Sequence, residues 1–124
     1  MKNCHILHVE SGQILLSNAR WCDTFTSKLR GFTFRRALAK DDGLVLVEKG
    51  EGRMNTSIHM LFVFFDLGAV WVNEAGEVVD RIVAKRWRSS YVPKLPARYV
   101  IEAHPDLLGQ IKLGDHIQFL ESDD

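Results

Sequence analysis

A chain of 124 residues fits one compact domain and is long enough to bury a core without disulfide or metal staples. Sixteen basic and sixteen acidic residues cancel, so there is no general attraction to nucleic acid or anionic lipid, and any such binding needs a local patch. Two cysteines exclude a disulfide framework, no long uninterrupted apolar run predicts a membrane span, and MKNCHILHVESG lacks the features of a signal peptide, so a reduced, cytoplasmic protein is expected.

CHILHV and QILLS flank the turn-like Glu10-Ser11-Gly12 and predict an N-terminal hairpin over 4–17. Ala19 to Cys22 predicts a further short strand. In DTFTSKLRGFTFRR, Asp23 or Thr24 can cap a helix, because either side chain accepts from the free N–H groups at its start. Phe25, Leu29 and Phe32 follow as one apolar stripe, and Gly31 stands where a helix would end, so a helix is expected around 24–31. Gly43 to Glu48 is a β-branched run and reads as a strand, followed by the polar loop KGEGRMNTS.

IHMLFVFFDLGAVWVN, residues 58–73, is the most apolar stretch of the chain. Its apolar residues fall at both parities, which predicts a central strand covered on both faces, with a bulge or bend at Gly68. Asn73 to Gly76 is a turn, and EVVDRIVA pairs back as a hairpin partner. A loop rich in Arg, Ser and Pro runs over 85–96, and Ala97 to Ala103 is a strand. His104-Pro105-Asp106 opens a helical turn carrying Leu107, Leu108 and Ile111. Gly114-Asp115 turns into the last strand, HIQFLE, and an acidic tail over 121–124 is solvated. Seven or eight short strands joined mostly by turns, with one or two short helices, predict a mostly β (α+β) single domain over 1–124. A small rolled antiparallel sheet or partly closed β-barrel would protect its edges.

Five segments, taken in order, resemble a known family. RGFTFR (30–35) is similar to its R-G-L-M-x-R element, and IHMLFVFFDLGAVWVNEAGEVV (58–79) to its central His-containing block. KRWR (85–88) resembles its Pro-Trp-Arg segment, and ARYVIE (97–102) and LGDHIQF (113–119) its closing elements. The family is the bacterial and archaeal domain of unknown function 192, and the likeness spans about residues 20–120. Asp66 and Gly68 stand where the family block has Pro and Asp, Val63 where it has Met, and Asn73 where it has a final Asp. The resemblance implies a small, mostly β fold, and no catalytic role is carried across.

His59 and Asp66 are the polar residues of the apolar run. Strand parity puts His59 with Leu61, Val63 and Phe65, which predicts a buried orienting residue. Asp66 falls with Phe62 and Phe64 near Gly68, where capping on leaving the strand or a salt bridge is natural. Cys4, His5 and His8 form C-H-x-x-H, but only Cys4 and His8 share a strand face, too few for a closed metal site; no metal or cofactor is expected. Lys28, Arg30, Arg35 and Arg36 form one basic group, and Lys85, Arg86 and Arg88 with Trp87 and Tyr91 a second. Such residues suit phosphate or a single-stranded base, against the plainer reading of a solvated face with Trp87 packed on the barrel. Glu102 reads as half of a strand-face ion pair near Arg98, and Asp115 as an Asx turn.

No nucleophile elbow, phosphate-cradling glycine loop or H-E-x-x-H is present. The favoured reading is therefore a binding or accessory module for an unknown small molecule or protein, docking at Arg53, His59, Trp87 and Arg88. One alternative is an enzyme with an acid–base site at His59, Asp66 and Glu102, and the other a nucleic-acid binder through Lys85 to Arg88, which the charge balance disfavours. The sequence leaves the oligomeric state open.

Overall fold

The computed structural model describes residues 1–33 and 35–122. Seven strands run β1 (Asn3–His8), β2 (Gln13–Cys22), β3 (Gly43–Gly52), β4 (Leu67–Val72), β5 (Val78–Ala84), β6 (Ala97–Ala103) and β7 (Ile117–Glu121). A helix, α1 (Phe25–Arg30), lies between β2 and β3, and two 3-10 turns cover Met54–Thr56 and Pro105–Gln110. The strands form one sheet in the order β5-β4-β6-β3-β2-β1-β7. Val78 N–H donates to the Asp115 carbonyl at 2.8 Å, and Ile117 N–H to the Gly76 carbonyl at 2.8 Å. The two edges therefore meet at one end, and the sheet curls into the mostly β half-barrel expected.

The pairings are antiparallel except one. β2 and β3 run parallel, with Arg20 opposite Leu44 and Cys22 opposite Leu46. A parallel pair cannot be closed by a hairpin and needs a connection of about a dozen residues or more. Residues 23–42 supply it, and this carries α1 across one face of the sheet. Inside the curl, Cys4, Ile6, Val45, Val70 and Ile101 pack with Leu107, Leu108 and Ile111 of the second 3-10 turn. On the outer face, Leu44, Leu67, Trp71 and Val100 pack with Phe32, Ile58, Met60 and Val63.

Three expectations need correction. Residues 13–22 are one strand, where two short ones were predicted. Gly68 is neither a bulge nor a bend: it pairs in register with Val83 and Ala103. A Cβ there would stand 3.1 Å from the His104 carbonyl oxygen and 3.3 Å from Pro105 Cα, so glycine lets the second 3-10 turn approach closely, and a larger residue would press that turn outward by a few tenths of an ångström.

The largest correction concerns 58–73. Only Leu67 to Val72 is strand; residues 58–66 form an irregular excursion over the outer face. Its backbone groups find partners in the loop of 87–91. Ile58 and Tyr91 exchange two bonds of 2.9 and 2.8 Å, Met60 N–H donates to the Arg88 carbonyl at 2.9 Å, and Trp87 N–H to the Met60 carbonyl at 2.8 Å. Val63 N–H closes a turn onto the same Met60 carbonyl at 3.2 Å. These bonds to the 87–91 loop hold the backbone at Ile58 and Met60 without a sheet ladder. Asp123 and Asp124 of the expected acidic tail, and Phe34 of RGFTFR, lie outside the described residues. Glu121, read as the start of that tail, pairs with Cys4 in β7.

Candidate functional site

The register of three strands sets the floor of the site. Arg20 in β2 lies opposite Leu44 in β3, and Leu44 opposite Glu102 in β6, so all three project from the outer face in one row. α1 crosses above them. Its first turn is held by a capping box: Thr24 Oγ1 accepts from Ser27 N–H at 3.1 Å, and Thr24 N–H donates to Ser27 Oγ at 3.1 Å. No residue of α1 is buried. Phe25 is 78 % exposed and Leu29 60 %, and only Phe32 of the expected stripe packs inward. From the other side, Trp71 Nε1–H donates to the Thr56 carbonyl at 2.7 Å and pins the excursion to β4.

Between helix, excursion and sheet lies a cavity of about 260 Å³. Leu46, Val100 and Glu102 form its floor, Phe25, Leu29 and Phe32 one wall, and Ile58, His59 and Val63 the other. A broader groove of about 760 Å³ continues over Leu29 and His59 to Arg20, Arg30, Arg35, Leu61 and Phe62. Lys28 and Glu48 are ion-paired at the edge of the smaller cavity.

Glu102 is 6 % exposed. Among the described residues, no hydrogen-bond donor or ion-pair partner meets its carboxylate. Burial pushes its pKa up from 4.5 to about 7, and the Arg20 charge only partly opposes this. Arg20 is engaged elsewhere: its Nη2 donates to the Gly31 carbonyl at 3.0 Å, and its guanidinium stacks 5.5 Å from the Phe32 ring centroid. The expected pairing of Glu102 near Arg98 is not formed. Arg98 instead meets Glu74 at 3.6 Å and the Glu48 carbonyl at 2.9 Å.

His59 is exposed, contrary to the buried orienting role expected of it, and stands on the rim of both cavities. The parity reading failed because there is no strand at 58–66. Asp66 is a capper and salt-bridge partner as expected, at the entry of β4 and not an exit. It accepts from Arg86 N–H at 3.0 Å and lies 3.6 Å from Lys85 Nζ and 3.4 Å from Arg86 Nε. The backbone bond from Arg86, aided by both cations, holds its pKa below the usual value. It lines a separate small cavity with Phe65 and His104. The acid–base trio is thus not assembled: His59 and Glu102 share a cavity and Asp66 is outside it.

Trp87 is 47 % exposed. It does not lie against the barrel but packs edge-on to Phe62 and Phe64, with centroids 5.3 and 5.5 Å away. Phe62 (φ 62°) and Trp87 (φ 66°) both sit in the left-handed region, each at the third position of a tight turn. That region costs a side-chain-bearing residue about 1–2 kcal/mol. Arg53 donates from Nε to the Pro93 carbonyl at 2.9 Å, and Arg88 stacks 5.9 Å from the Tyr91 centroid. Neither lines the cavities, whereas His59 does and Trp87 abuts Phe62 of the wider groove. Sequence reasoning missed Glu102 as a lone buried acid and α1 as an unburied wall.

Away from the cleft, His8 Nε2 lies 2.7 Å from Asp115 and its Nδ1 2.6 Å from Ser11 Oγ, while His116 Nδ1 lies 2.6 Å from Glu10. These pairs tie the first hairpin to the turn before β7. Asp115 also accepts from Lys112 N–H at 2.9 Å. His8, Glu10 and Asp115 are the one set of potential metal ligands that gathers among the described residues. Cys4 of the C-H-x-x-H segment points into the interior, and burial pushes its thiol up to about 11.

The curled half-barrel aligns with a crystal structure of a protein of unknown function from Novosphingobium aromaticivorans, with a TM-score of 0.79 and 18 % identity, covering 94 % of this chain and 83 % of that one. That likeness establishes the fold alone. The chain belongs to the family of domain of unknown function 192, described as "Uncharacterized ACR", whose profile matches residues 7–119. It is 31 % identical over 121 residues to a UPF0127 protein of Thermococcus kodakarensis, covering 96 % of this chain and 75 % of the relative. It is 32 % identical over 116 residues to a UPF0127 protein of Pyrococcus furiosus, covering 92 % and 97 %. Membership brings a fold and no assigned reaction. Among the described residues, no helix is long and apolar enough to cross a membrane.

Proposed function

We propose that this chain is a non-catalytic binding module that takes a small molecule in the cleft between α1 and the 58–66 excursion with the 3-10 turn before it. The observation that carries the proposal is the stand-off of α1. A crossover helix with an apolar stripe ordinarily buries that stripe against its sheet. Here Phe25 and Leu29 stay exposed above a cavity floored by Leu46, Val100 and Glu102. Apolar walls around a few convergent polar groups are the usual make-up of a ligand site. His59 forms the rim, and Trp87 supports Phe62 beside the entrance. Arg53 and Arg88 belong to the outer surface, where a protein partner is the second reading.

A reaction has less to support it. Two of the three hydroxyls in the cavity lining donate to backbone carbonyls, Thr56 to Gly52 at 2.8 Å and Ser57 to Met54 at 2.7 Å, and among the described residues no base is hydrogen-bonded to any of the three, Thr33 included. Nucleic-acid binding through 85–88 is weakened because Asp66 pairs with Lys85 and Arg86. One sheet draws strands from residue 3 to residue 121, which supports a single-domain module over 1–124. Two free buried cysteines fit the reducing cytoplasm.

Amide chemical-shift mapping of the labelled protein against a fragment library tests the cleft. Shifts gathered at 25–33, 55–63 and 100–102, and lost in Leu29→Trp, support it. Shifts confined to 85–91, or none, would overturn it.

A further inference from the structure

We infer that the occupant of this cleft is a small organic cation, an amine or guanidine on an apolar body, with its charged head on the Glu102 carboxylate. The inference rests on the cleft reading above and adds the chemistry of the ligand.

Three observations converge on it. Glu102 is more than nine-tenths shielded, lines the cavity and has no partner among the described residues. A carboxylate so shielded and without a protein donor is costly, so a donor supplied through the cavity it lines would be favoured. Second, the neighbouring cations are committed. Arg20 is bound to the Gly31 carbonyl, and Lys28 is paired with Glu48. Third, the walls beside Glu102 are Phe25, Leu29 and Phe32. Aromatic faces attract a desolvated cation, and a low-dielectric site strengthens its pairing with a carboxylate. A neutral donor would recover only part of that energy, and an anion would be repelled.

The volume of about 260 Å³ lies at the small end of ligand cavities, which fits one ring or a short chain. The groups facing Glu102 set the pH response. They are Arg20 and the Cys22 thiol on β2, the Lys28–Glu48 pair bridging α1 and β3, and His59 on the excursion. The cation needs Glu102 ionised. Because burial holds that carboxyl up at about 7, affinity should rise with pH through neutrality, and binding should release a proton there.

The experiment uses phenethylamine as the probe, with 2-phenylethanol and 3-phenylpropionate as neutral and anionic matches, in amide shift titrations of the intact chain. The amine is expected to saturate shifts at Phe32, Val100 and Glu102, on the order of tenfold more tightly than the alcohol, with the acid inert. Its affinity should rise on the order of tenfold or more from pH 5.5 to pH 8.5. Glu102→Gln, checked for folding by its thermal transition, should abolish both the preference and the pH dependence. If all three probes move the cleft amides equally, the cleft reading stands and the cation inference falls. If none moves them, both fall. A preference for the amine that survives Glu102→Gln also overturns the inference.

Discussion

Ile101 and Glu102 are neighbours on one strand, and they face two different environments. Ile101 points into the half-barrel, where strands from the whole sheet and the second 3-10 turn exclude water. Glu102 points to the outer face, which is covered by a helix none of whose own residues is buried and by an irregular excursion. The interior is filled by the chain's own apolar side chains, and at its seam His8 finds Asp115 and Ser11, although the buried Arg81 Nε on that side has no partner among the described residues. The outer face differs in leaving a cavity: Glu102 lines it without a protein donor among the described residues, and Phe25 and Leu29 stand beside it in solvent. The combination of cavity, shielded carboxylate and exposed apolar wall is the reason to place the ligand outside the barrel.

The largest expected effect tests the closed side. Ile101→Ala should cost about 2–5 kcal/mol in denaturant unfolding, since it leaves a void among side chains that cannot collapse. Leu29→Ala, on the open side, should stay within about 0.5 kcal/mol. Equal losses would erase the distinction between the two faces.

The next prediction uses pH. Glu102 ionises near 4.5 in the unfolded chain and at about 7 when folded, so between those values the folded state binds more protons. Wild-type stability should therefore be favoured below pH 4.5 and decline as pH rises towards 7, by up to roughly 3 kcal/mol. Glu102→Gln has no such decline and should be the more stable protein at pH 8, the two converging at pH 4. The raised pKa of His116, caused by its bond to Glu10, is common to both proteins and cancels in the difference. Parallel stability curves for the two proteins would mean Glu102 has a partner and the cleft is closed chemistry.

Trp71→Phe probes the pin between the faces. It keeps the ring in the core but removes the donor to the Thr56 carbonyl, at an expected loss of about 1–3 kcal/mol. Hydrogen exchange should quicken at 54–60 before it does in β4. Uniform quickening would show that the excursion and the sheet open as one unit.

The β topology was legible because strand and turn residues alternate along most of the chain, and the hairpins at 3–22 and 67–84 need only local signals. The parallel pairing of β2 with β3 was not, since nothing in residues 19–22 says which strand lies beside them. Glu102 was misread for a similar reason. Parity placed it with Arg98 on an outward face, but that face is covered only because residues far away, Phe32 and 58–63, fold over it. At 58–66 the failure was one of period. Met60 and Val63 are buried while 59, 61, 62 and 64 are exposed, a spacing that turn geometry imposes and hydrophobicity alone does not reveal.

The smallest predicted effect bears on that same stretch. As part of a central strand, Phe62 would be a core residue, and truncating it would cost about 3–5 kcal/mol. In the structure its ring is 46 % exposed and rests edge-on against Trp87, a contact worth about 0.5–1.5 kcal/mol. Its backbone is left-handed, which glycine adopts without strain, while glycine also adds entropy to the unfolded chain. Phe62→Gly therefore loses the contact with Trp87 but regains about 1 kcal/mol of backbone strain, and should cost well under the loss expected for a core phenylalanine. Phe62→Ala loses the same contact without the relief, so alanine should be the worse of the two. In a regular strand the order is reversed, because glycine is the poorer strand residue. The order of two small numbers thus distinguishes a turn that presents an aromatic side chain to solvent from a strand that buries it.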